Sequence, residues 1–361
     1  ATEMQDRLRA LLGKDQPLPF VGTFHALGYR IIAGSMENGS LTVVDEKTRK
    51  GLAGDVLAIN GVNPKKDGLS PDDLIGWIVE AKQKMISCGD PLNDVCSKHL
   101  LPAFRRCYAT YEQLMKVNGL ADFEDLIFLS TKLLENDPVI GQQYIGRYTD
   151  IFVDEYQDIN AGQYRLVRLL AGDQANINII GDPDQSIYGF RGSEMACFDW
   201  FKQDYPTTKT LYLTRNYRST QTILEVSTQI ICNNPQLIFD SGRKRVYSDV
   251  EGRRTIEVVE AETEKSEAVA IGKTIEKMVG GTGFFSLDSG AVDGNRQGDS
   301  YGFSDIAVLF RTRSQGEVIE TILEKAGIPC QRVDRRAVLE HPGVQSIVAA
   351  FKVLHGVGLF D

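Results

Sequence analysis

Two short apolar segments that each stop at a polar loop are the features that most constrain the fold of this chain. The first runs from Ile151 to Val153 and ends at the adjacent carboxylates Asp154 and Glu155. A buried strand that stops in this way places those side chains at the carboxyl edge of a sheet, where open α/β sheets bind ligands. Two adjacent carboxylates suit Mg²⁺-nucleotide chemistry, because one can hold the metal's water shell and the other can take a proton from an attacking water. A strand end with solvated acids is the alternative.

The second apolar segment, residues 177–180, leads into a loop that is punctuated by Gly and Pro, which predicts a tight turn after a strand. Gln185 ends this loop, and its amide can donate and accept, which suits contact with a phosphate oxygen and a water together. Tyr188, Phe190 and Arg191 follow it. Aromatic rings interleaved with a cation can stack on bases and meet the backbone phosphate. Ordinary core positions for the two rings are the alternative.

A third segment, Leu211–Thr220, starts like a strand and continues as R-N-Y-R-S-T. The ring of Tyr217 can stack on a nucleotide base, and the guanidinium of Arg218 can reach a γ-phosphate. The alternative is a helix start at which Ser219 or Thr220 lies near the N-cap and the arginines are solvated.

The segments DEYQD, GDPDQSIYGFRGS and RNYRST, in this order and at these separations, closely resemble motifs II, III and IV of the UvrD/Rep/PcrA-like superfamily 1 DNA helicases. Residues 22–25 resemble the TFH motif of that family, which touches single-stranded DNA, and residues 1–7 resemble the tail of motif Ia. Residues 122–126 are similar to the family's DF-x-DL segment. The resemblance implies an α/β fold of the P-loop NTPase class, with RecA-like parallel-sheet motor domains and an all-α insertion.

The same resemblance implies ATP and Mg²⁺ as cofactors. Asp154 would hold Mg²⁺, and Glu155 would activate the hydrolytic water. Gln185 would couple the state of the γ-phosphate to the DNA side. Tyr217 would stack on the adenine, and Arg218 would stabilise the charge of the transition state.

The implied partners are single-stranded DNA and junctions of single- and double-stranded DNA, together with repair or replication proteins. The expected DNA-binding residues are Thr23, Phe24, His25, Tyr188, Phe190 and Arg191. The family usually has Trp where this chain has Phe190, and Phe stacks with less ring area. Translocation would run 3′ to 5′ along one strand, as in the family.

The domain organisation follows the same pattern. We expect the first RecA-like domain at 1–44, a helical insertion at 45–115, the first domain continued at 116–213, and an incomplete second RecA-like domain at 214–361. Apolar spacing of three and four over 74–86 and 103–117 predicts helices within the insertion. In the second domain we expect strands at 255–259, 306–313 and 329–333, helices at 264–278, 315–326 and 344–354, and a long surface loop at 280–302.

No G-x-x-x-x-G-K-[ST] loop is present in the sequence, and no segment resembles the family's motifs V and VI. Since the phosphate-cradling loop precedes motif Ia in the family, we interpret the chain as the central portion of a longer helicase that is inactive alone. A degenerate paralogue that does not bind ATP is the rival interpretation.

Composition indicates a cytoplasmic protein. The six cysteines form no C-x-x-C pair, which fits thiols in a reducing compartment. No apolar run approaches the roughly 20 residues of a membrane span, and no membrane partner is expected. The net charge of -9 leaves DNA binding open, because a motor needs basic residues only along its track. Two other functional classes remain: a non-enzymatic DNA- or protein-binding helicase relic, and the helicase part of a nuclease-helicase.

Overall fold

The computed structural model of the chain describes residues 2–13, 16–36, 41–172, 175–233, 246–250, 256–280, 301–333 and 342–354. The chain divides into two compact units, Ala1–Val250 and Glu251–Asp361. Each unit has its own hydrophobic core.

The described helices of the first unit are α1 (Thr2–Leu12), α2 (Phe24–Ser35), α3 (Glu46–Ile59), α4 (Pro64–Asp67), α5 (Pro71–Gln83), α6 (Leu101–Val117), α7 (Asp125–Asn136), α8 (Pro138–Tyr144), α9 (Ala161–Ala171), α10 (Ala196–Asp204) and α11 (Gln221–Ile231). Its strands are β1 (Thr42–Val43), β2 (Leu120–Ala121), β3 (Asp150–Val153), β4 (Asn176–Ile179), β5 (Arg215–Asn216) and β6 (Tyr247–Ser248). Short 3₁₀ turns occupy Tyr156–Asp158, Pro183–Gln185 and Gly189–Arg191.

The described strands form three separate two-stranded sheets, β1–β2, β3–β4 and β5–β6, and all three pairs are parallel. In β3–β4 the register runs from Asp150 opposite Asn176 to Val153 opposite Ile179. These are the two apolar segments in which the sequence predicted strands. Because both strands run in the same direction, the loops that follow them leave the same edge of the sheet.

The chain between β1 and β2 is helical. Helices α5 and α6 confirm the helices that apolar spacing predicted there. The residues buried around α3, α5 and α6 form one core, which is Ala53, Val56, Leu57, Val62, Leu69, Leu74, Ile78, Ala81, Leu92, Val95, Phe104, Cys107, Tyr108, Tyr111 and Met115. Two of its rings stack, since the centroids of Phe104 and Tyr108 lie 5.7 Å apart.

Helices α2, α7 and α9 pack around a second core that supports β3. The closest approach is at Gly28 of α2, where an added Cβ would lie 1.9 Å from the carbonyl oxygen of Leu126. A glycine inside a helix costs about 0.5–1 kcal/mol relative to alanine. Here that cost is offset by the close packing of α2 against α7.

The second unit contains α12 (Glu264–Val279), α13 (Arg313–Lys325) and α14 (Pro342–Leu354), and a 3₁₀ turn at Phe303–Asp305. Helices α12 and α13 both begin with a capping box, at Thr263 and at Thr312. Their apolar faces share a core of Ala268, Ile275, Ile319, Leu323 and Ile328. The three helices predicted from the sequence in this unit are therefore present.

The strands predicted in the second unit are not present in its described residues. Residues 256–259, 306–310 and 329–333 carry no strand assignment. Val258 and Leu309 are each 93% exposed, whereas Ile306 and Val308 pack against the helical core. A strand needs a partner to satisfy its backbone hydrogen bonds, and among the described residues no strand pairs with these segments. Thr255 and the predicted loop, apart from its ends, lie outside the described residues.

The strand-like start of the segment at 211 is also shorter than predicted. Leu211 and Leu213 are 87% and 89% exposed, and the strand is limited to Arg215–Asn216. Among the helices that the structure describes, none combines the length and the apolar character that a membrane crossing requires.

We expect Gly28→Ala to destabilise the first unit by about 1–3 kcal/mol or more, because α2 and α7 must separate to admit the methyl group. Gly51→Ala is the matched control. It also lies inside a helix, its added Cβ would have no neighbour within 4 Å, and it should be neutral or stabilising by about 0.5–1 kcal/mol. Chemical denaturation measures both variants, and equal effects would contradict the close packing.

Candidate functional site

The loops after β3 and β4 are hydrogen-bonded to each other at the carboxyl edge of their sheet. The amide of Ile180 donates to the carbonyl of Val153 over 2.8 Å, and the amide of Tyr156 donates to the carbonyl of Ile180 over 2.9 Å. Asp154 and Glu155 lie between these two bonds, and both are exposed. The sequence prediction of two carboxylates at this edge is confirmed.

Glu155 has an unusual backbone conformation. Its φ angle is +51°, in the left-handed region that few residues other than glycine adopt. The carboxylate of Asp154 accepts the amide of Glu155 over 3.0 Å, and the Glu155 carboxylate accepts the side-chain amide of Gln157 over 2.6 Å. Strained conformations of this kind persist where the surroundings hold them, and they concentrate at functional sites.

Gln185 lies in the loop after β4, where Asp182 organises the turn. One carboxylate oxygen of Asp182 accepts the amide of Asp184 over 3.1 Å, and the other accepts the side-chain amide of Gln185 over 2.9 Å. The Gln185 side chain is exposed. The loop therefore presents this amide at the same sheet edge as the two carboxylates.

Gln157 joins the two loops, although its role was not predicted. Its side chain is 2% exposed. Its amide nitrogen donates to Glu155, and its amide oxygen accepts the backbone amide of Asp182 over 3.0 Å.

A cleft of about 510 Å³ lies where the β4 loop continues past Gln185. It is lined by His25, Val79, Lys82, Gln83, Phe123, Glu124, Ile127, Asp158, Asn160, Gln163, Tyr188, Phe190 and Ser193. The rings of His25 and Phe123 stack at 3.7 Å with an interplanar angle of 22°. Burial lowers the pKa of His25, so its imidazole is neutral at physiological pH.

The aromatic pair on the β4 loop stands at this cleft. The centroids of Tyr188 and Phe190 lie 6.1 Å apart, at an interplanar angle of 48°. Phe190 is 79% exposed, which excludes a core position for it. An exposed ring beside a cleft is the arrangement that a stacking surface for bases needs.

Five of the six predicted DNA-binding residues divide into two groups in the structure. His25, Tyr188 and Phe190 line the cleft. Thr23 is the N-cap of α2 and accepts the amide of Ala26 over 3.2 Å, and Phe24 is half-buried against the cores beside β3. The prediction for the Arg191 side chain lies outside what the structure describes.

Lys82, one of the residues that line the cleft, belongs to a buried ion network. The ammonium of Lys82, which is 1% exposed, lies 2.8 Å from Asp122, 2.7 Å from Asp125 and 2.9 Å from Glu112. Burial opposes the charge of Lys82, but these carboxylates raise its pKa well above the ordinary value. Tyr111 donates to Asp122 over 3.1 Å. The network therefore fixes α5 and α6 against the turn that begins α7.

Tyr217 and Arg218 follow β5, which belongs to a sheet separate from β3–β4. The guanidinium of Arg215 lies 5.0 Å from the centre of the Tyr217 ring. The side chain of Asn216 accepts the amides of Arg218 and Ser219 over 2.9 and 2.8 Å. Tyr217 is 76% exposed, so its ring is open to a ligand.

Helix α11 begins where the alternative interpretation of this segment placed a helix start, near Ser219 and Thr220. Thr220 is its N-cap residue, but its side chain makes no capping hydrogen bond. A helix start and an exposed Tyr–Arg pair therefore coexist in this segment.

The acidic pair at the end of β3 fits a magnesium ion. Mg²⁺ in nucleotide sites is usually held by one or two protein carboxylates and by substrate phosphates, and it keeps several waters. In the described part of the chain no cluster of three or more His, Cys, Asp or Glu side chains could hold a metal. The exposed carboxylates of Asp154 and Glu155 are oxygen ligands of the kind that such a complex uses.

Several residues of the site gave little signal in the sequence. Lys82 has the appearance of a solvated charge on an amphipathic helix, and Gln157 that of a polar turn residue. Asn160 and Gln163 did carry a signal, because N-x-x-Q is the pattern of a capping box. The box is present at the start of α9, with bonds of 2.9 and 3.1 Å.

Two family models match the chain. The UvrD/REP helicase N-terminal domain matches residues 1–206, and the UvrD-like helicase C-terminal domain matches residues 211–356. The chain therefore belongs to the UvrD/REP helicase family. Membership implies a RecA-like P-loop fold, with which the small parallel sheets and their many helices agree.

Individual relatives agree with the family models. The chain is 29% identical over 358 residues to a protein named ATP-dependent DNA helicase PcrA from Staphylococcus aureus (strain Mu50 / ATCC 700699). The matched region covers 98% of this chain and 46% of the relative. It is 30% identical over 358 residues, with the same coverage, to the protein of that name from Staphylococcus epidermidis (strain ATCC 12228 / FDA PCI 1200). The chain thus spans about half the length of the curated relatives that it matches.

We expect Lys82→Met to lower the free energy of unfolding by about 3–5 kcal/mol, because it leaves the buried carboxylates of Asp122 and Asp125 without their cation. Lys84→Met is the matched control on the same segment. Lys84 pairs with Glu80 at the surface, where both side chains are 42% exposed, and its loss should cost about 0.5 kcal/mol or less. Urea denaturation measures both, and a loss below about 1 kcal/mol for Lys82→Met would contradict the proposed importance of the network.

Proposed function

We propose that this chain carries part of an ATP-dependent DNA helicase or translocase motor. One observation carries the proposal: a single loop after β4 presents Gln185 beside the carboxylates of β3 and then continues to Tyr188 and Phe190 at the cleft. A nucleotide-facing group and a base-facing group thus lie within six residues of sequence. This is the arrangement that a motor needs to link nucleotide state to DNA contact.

On the nucleotide side, Asp154 and Glu155 have different roles. Asp154 is the residue that would hold Mg²⁺, which supplies charge to balance the phosphates. Glu155 accepts the proton of the attacking water, and its carboxylate is oriented by the amide of Gln157. The exposed amide of Gln185 contacts the γ-phosphate from the neighbouring loop.

On the DNA side, the cleft receives bases of a single strand. Tyr188 and Phe190 provide stacking faces, which bind every base because every base has a π-face. The neutral imidazole of His25, stacked on Phe123, adds a further planar surface. Thr23 and Phe24 order the start of α2 beside it, and the role of Arg191 remains a prediction.

Tyr217 and Arg218 serve the nucleotide from a separate sheet. The Tyr217 ring stacks on the adenine, and the Arg218 guanidinium stabilises the charge of the transition state. Their backbone is arranged by Asn216. These two roles rest on the family resemblance and on the exposure of the ring.

The predicted domain organisation is part of the proposal. The helical segment 45–115 is an insertion in the first RecA-like domain, because the chain leaves from β1 and returns at β2, its hydrogen-bonded neighbour. The remaining boundaries, at 1–44, 116–213 and 214–361, follow from the family pattern.

The family also supports the finer features that we propose. They are 3′ to 5′ movement, binding to junctions of single- and double-stranded DNA, repair or replication partners, and a cytoplasmic location. Because the sequence contains no G-x-x-x-x-G-K-[ST], we propose that the chain alone does not hydrolyse ATP. That same feature favours a second candidate, a relic that binds DNA without turnover.

We expect Phe190→Ala to weaken binding of a single-stranded oligonucleotide by about 1–3 kcal/mol, the cost of one lost stacking contact. Because Phe190 is exposed, the free energy of unfolding should change by about 0.5 kcal/mol or less. Phe303→Ala, which alters a ring that is 44% exposed in the second unit, is the control. Fluorescence anisotropy and denaturation measure the two effects. Unchanged oligonucleotide affinity would remove Phe190 from the binding surface.

In a form of the protein that hydrolyses ATP, Glu155→Gln should lower turnover by about 10²–10⁴-fold, because an amide cannot accept the proton of the attacking water. Nucleotide affinity should be retained. Asp150→Asn is the matched control, since it makes the same chemical change at the opposite end of β3. Steady-state hydrolysis and nucleotide binding measure the effects. Turnover within a few-fold of the unchanged protein would exclude Glu155 as the base.

A further inference from the structure

The side chain of Gln157 uses both ends of its amide, each toward a different loop. The nitrogen donates to the Glu155 carboxylate over 2.6 Å, and the oxygen accepts the amide of Asp182, 25 residues further along the chain, over 3.0 Å. The side chain is buried in the 3₁₀ turn Tyr156–Asp158. A buried amide whose two ends are both bonded contributes order as well as stability.

The β4 loop is shaped to accept this amide. A Cβ added to Gly181 would lie 2.8 Å from the Gln157 amide oxygen and 3.1 Å from the Tyr156 amide. Glycine at this position therefore allows the loop to reach Gln157. The hydroxyl of Ser186 donates to the Gln157 backbone carbonyl over 3.4 Å, so both ends of the segment 182–186 contact this one residue.

Few other side chains could make this bridge. An ionised glutamate can only accept hydrogen bonds, so it could not donate to Glu155. Asparagine has the same amide on a side chain one methylene shorter. Glu155 itself is exposed, so burial does not hold its carboxylate in place.

We propose that Gln157 is a positioning residue that ties the orientation of the Glu155 carboxylate to the position of the 182–186 segment. The role of Glu155 as the base rests on the proposed function. Tyr188 and Phe190 come soon after this segment in the sequence. A DNA base that stacks on them and displaces their loop therefore also moves the Asp182 amide. The bridge then passes that movement to Glu155.

The bridge is testable in the chain itself by amide hydrogen exchange at Asp182, which needs neither ATP nor DNA. Gln157→Leu should speed this exchange by about threefold to tenfold, the effect of one lost hydrogen bond. Glu155→Ala should speed it by about the same factor, because the Gln157 amide loses its anchor. If Gln157 serves only to fill space, Glu155→Ala leaves the exchange rate of the Asp182 amide unchanged.

Asp154→Asn is the matched control. It alters the adjacent carboxylate, which bonds the Glu155 amide and not Gln157, and it should leave Asp182 exchange unchanged. Equal acceleration by Asp154→Asn and Glu155→Ala would overturn the proposal, as would no acceleration by Glu155→Ala. Should Gln157→Leu fail to fold, Gln157→Met replaces it, because methionine is similar in length and has neither the amide donor nor the amide acceptor.

A kinetic arm extends the test to a form of the protein that hydrolyses ATP. There Gln157→Leu should lower kcat by about tenfold to a hundredfold, the scale of a misplaced catalytic group, and leave the KM for ATP within about threefold. An unchanged kcat would contradict a positioning role. In that form, a kcat that Glu155→Gln leaves unchanged would count against the proposed role of Glu155 as the base, and the exchange experiment would still decide on the bridge.

Discussion

The parallel pairing of β3 with β4 is the constraint on which the site depends. Because the register is fixed from Asp150 to Val153, the loops that follow leave the sheet side by side. Their polar groups therefore lie close together. An antiparallel pair would send the two loops to opposite ends of the sheet. The acidic pair, the glutamine loop and the aromatic rings are thus consequences of one strand pairing and of short connections after it.

The ion network around Lys82 fixes the relative positions of helices, as the β3–β4 pairing fixes the relative positions of two loops. Lys82 would be costly to bury alone, and three carboxylates from two other segments accompany it. Such a network adds little net stability compared with apolar packing, but it tolerates few alternative arrangements. It fixes where α5 and α6 lie relative to the turn that precedes α7. Lys82, which lines the cleft, is therefore held in place by ion pairs, and the stacked rings of His25 and Phe123 line the same cleft.

The parts of this structure that could be predicted are those that depend on local pattern. Strands β3 and β4 follow from apolar runs with polar stops, and α12 follows from the spacing of its apolar residues. The strands expected at 306–313 and 329–333 depend on neighbours that sequence spacing does not reveal, and Leu309 is open to solvent. The bridge made by Gln157 escaped prediction for the same reason, since its partner at Asp182 is distant in sequence.

At Glu155 the left-handed backbone favours glycine, whereas the proposed chemistry needs a long carboxylate side chain. Glycine would adopt this φ angle without strain, and asparagine or aspartate would do so at less cost than most residues. None of them can extend a carboxylate as far as glutamate does. Glycine would be the residue of lowest backbone strain at this position. Glutamate at this position therefore makes the edge of β3 a point where backbone strain accompanies a longer carboxylate side chain.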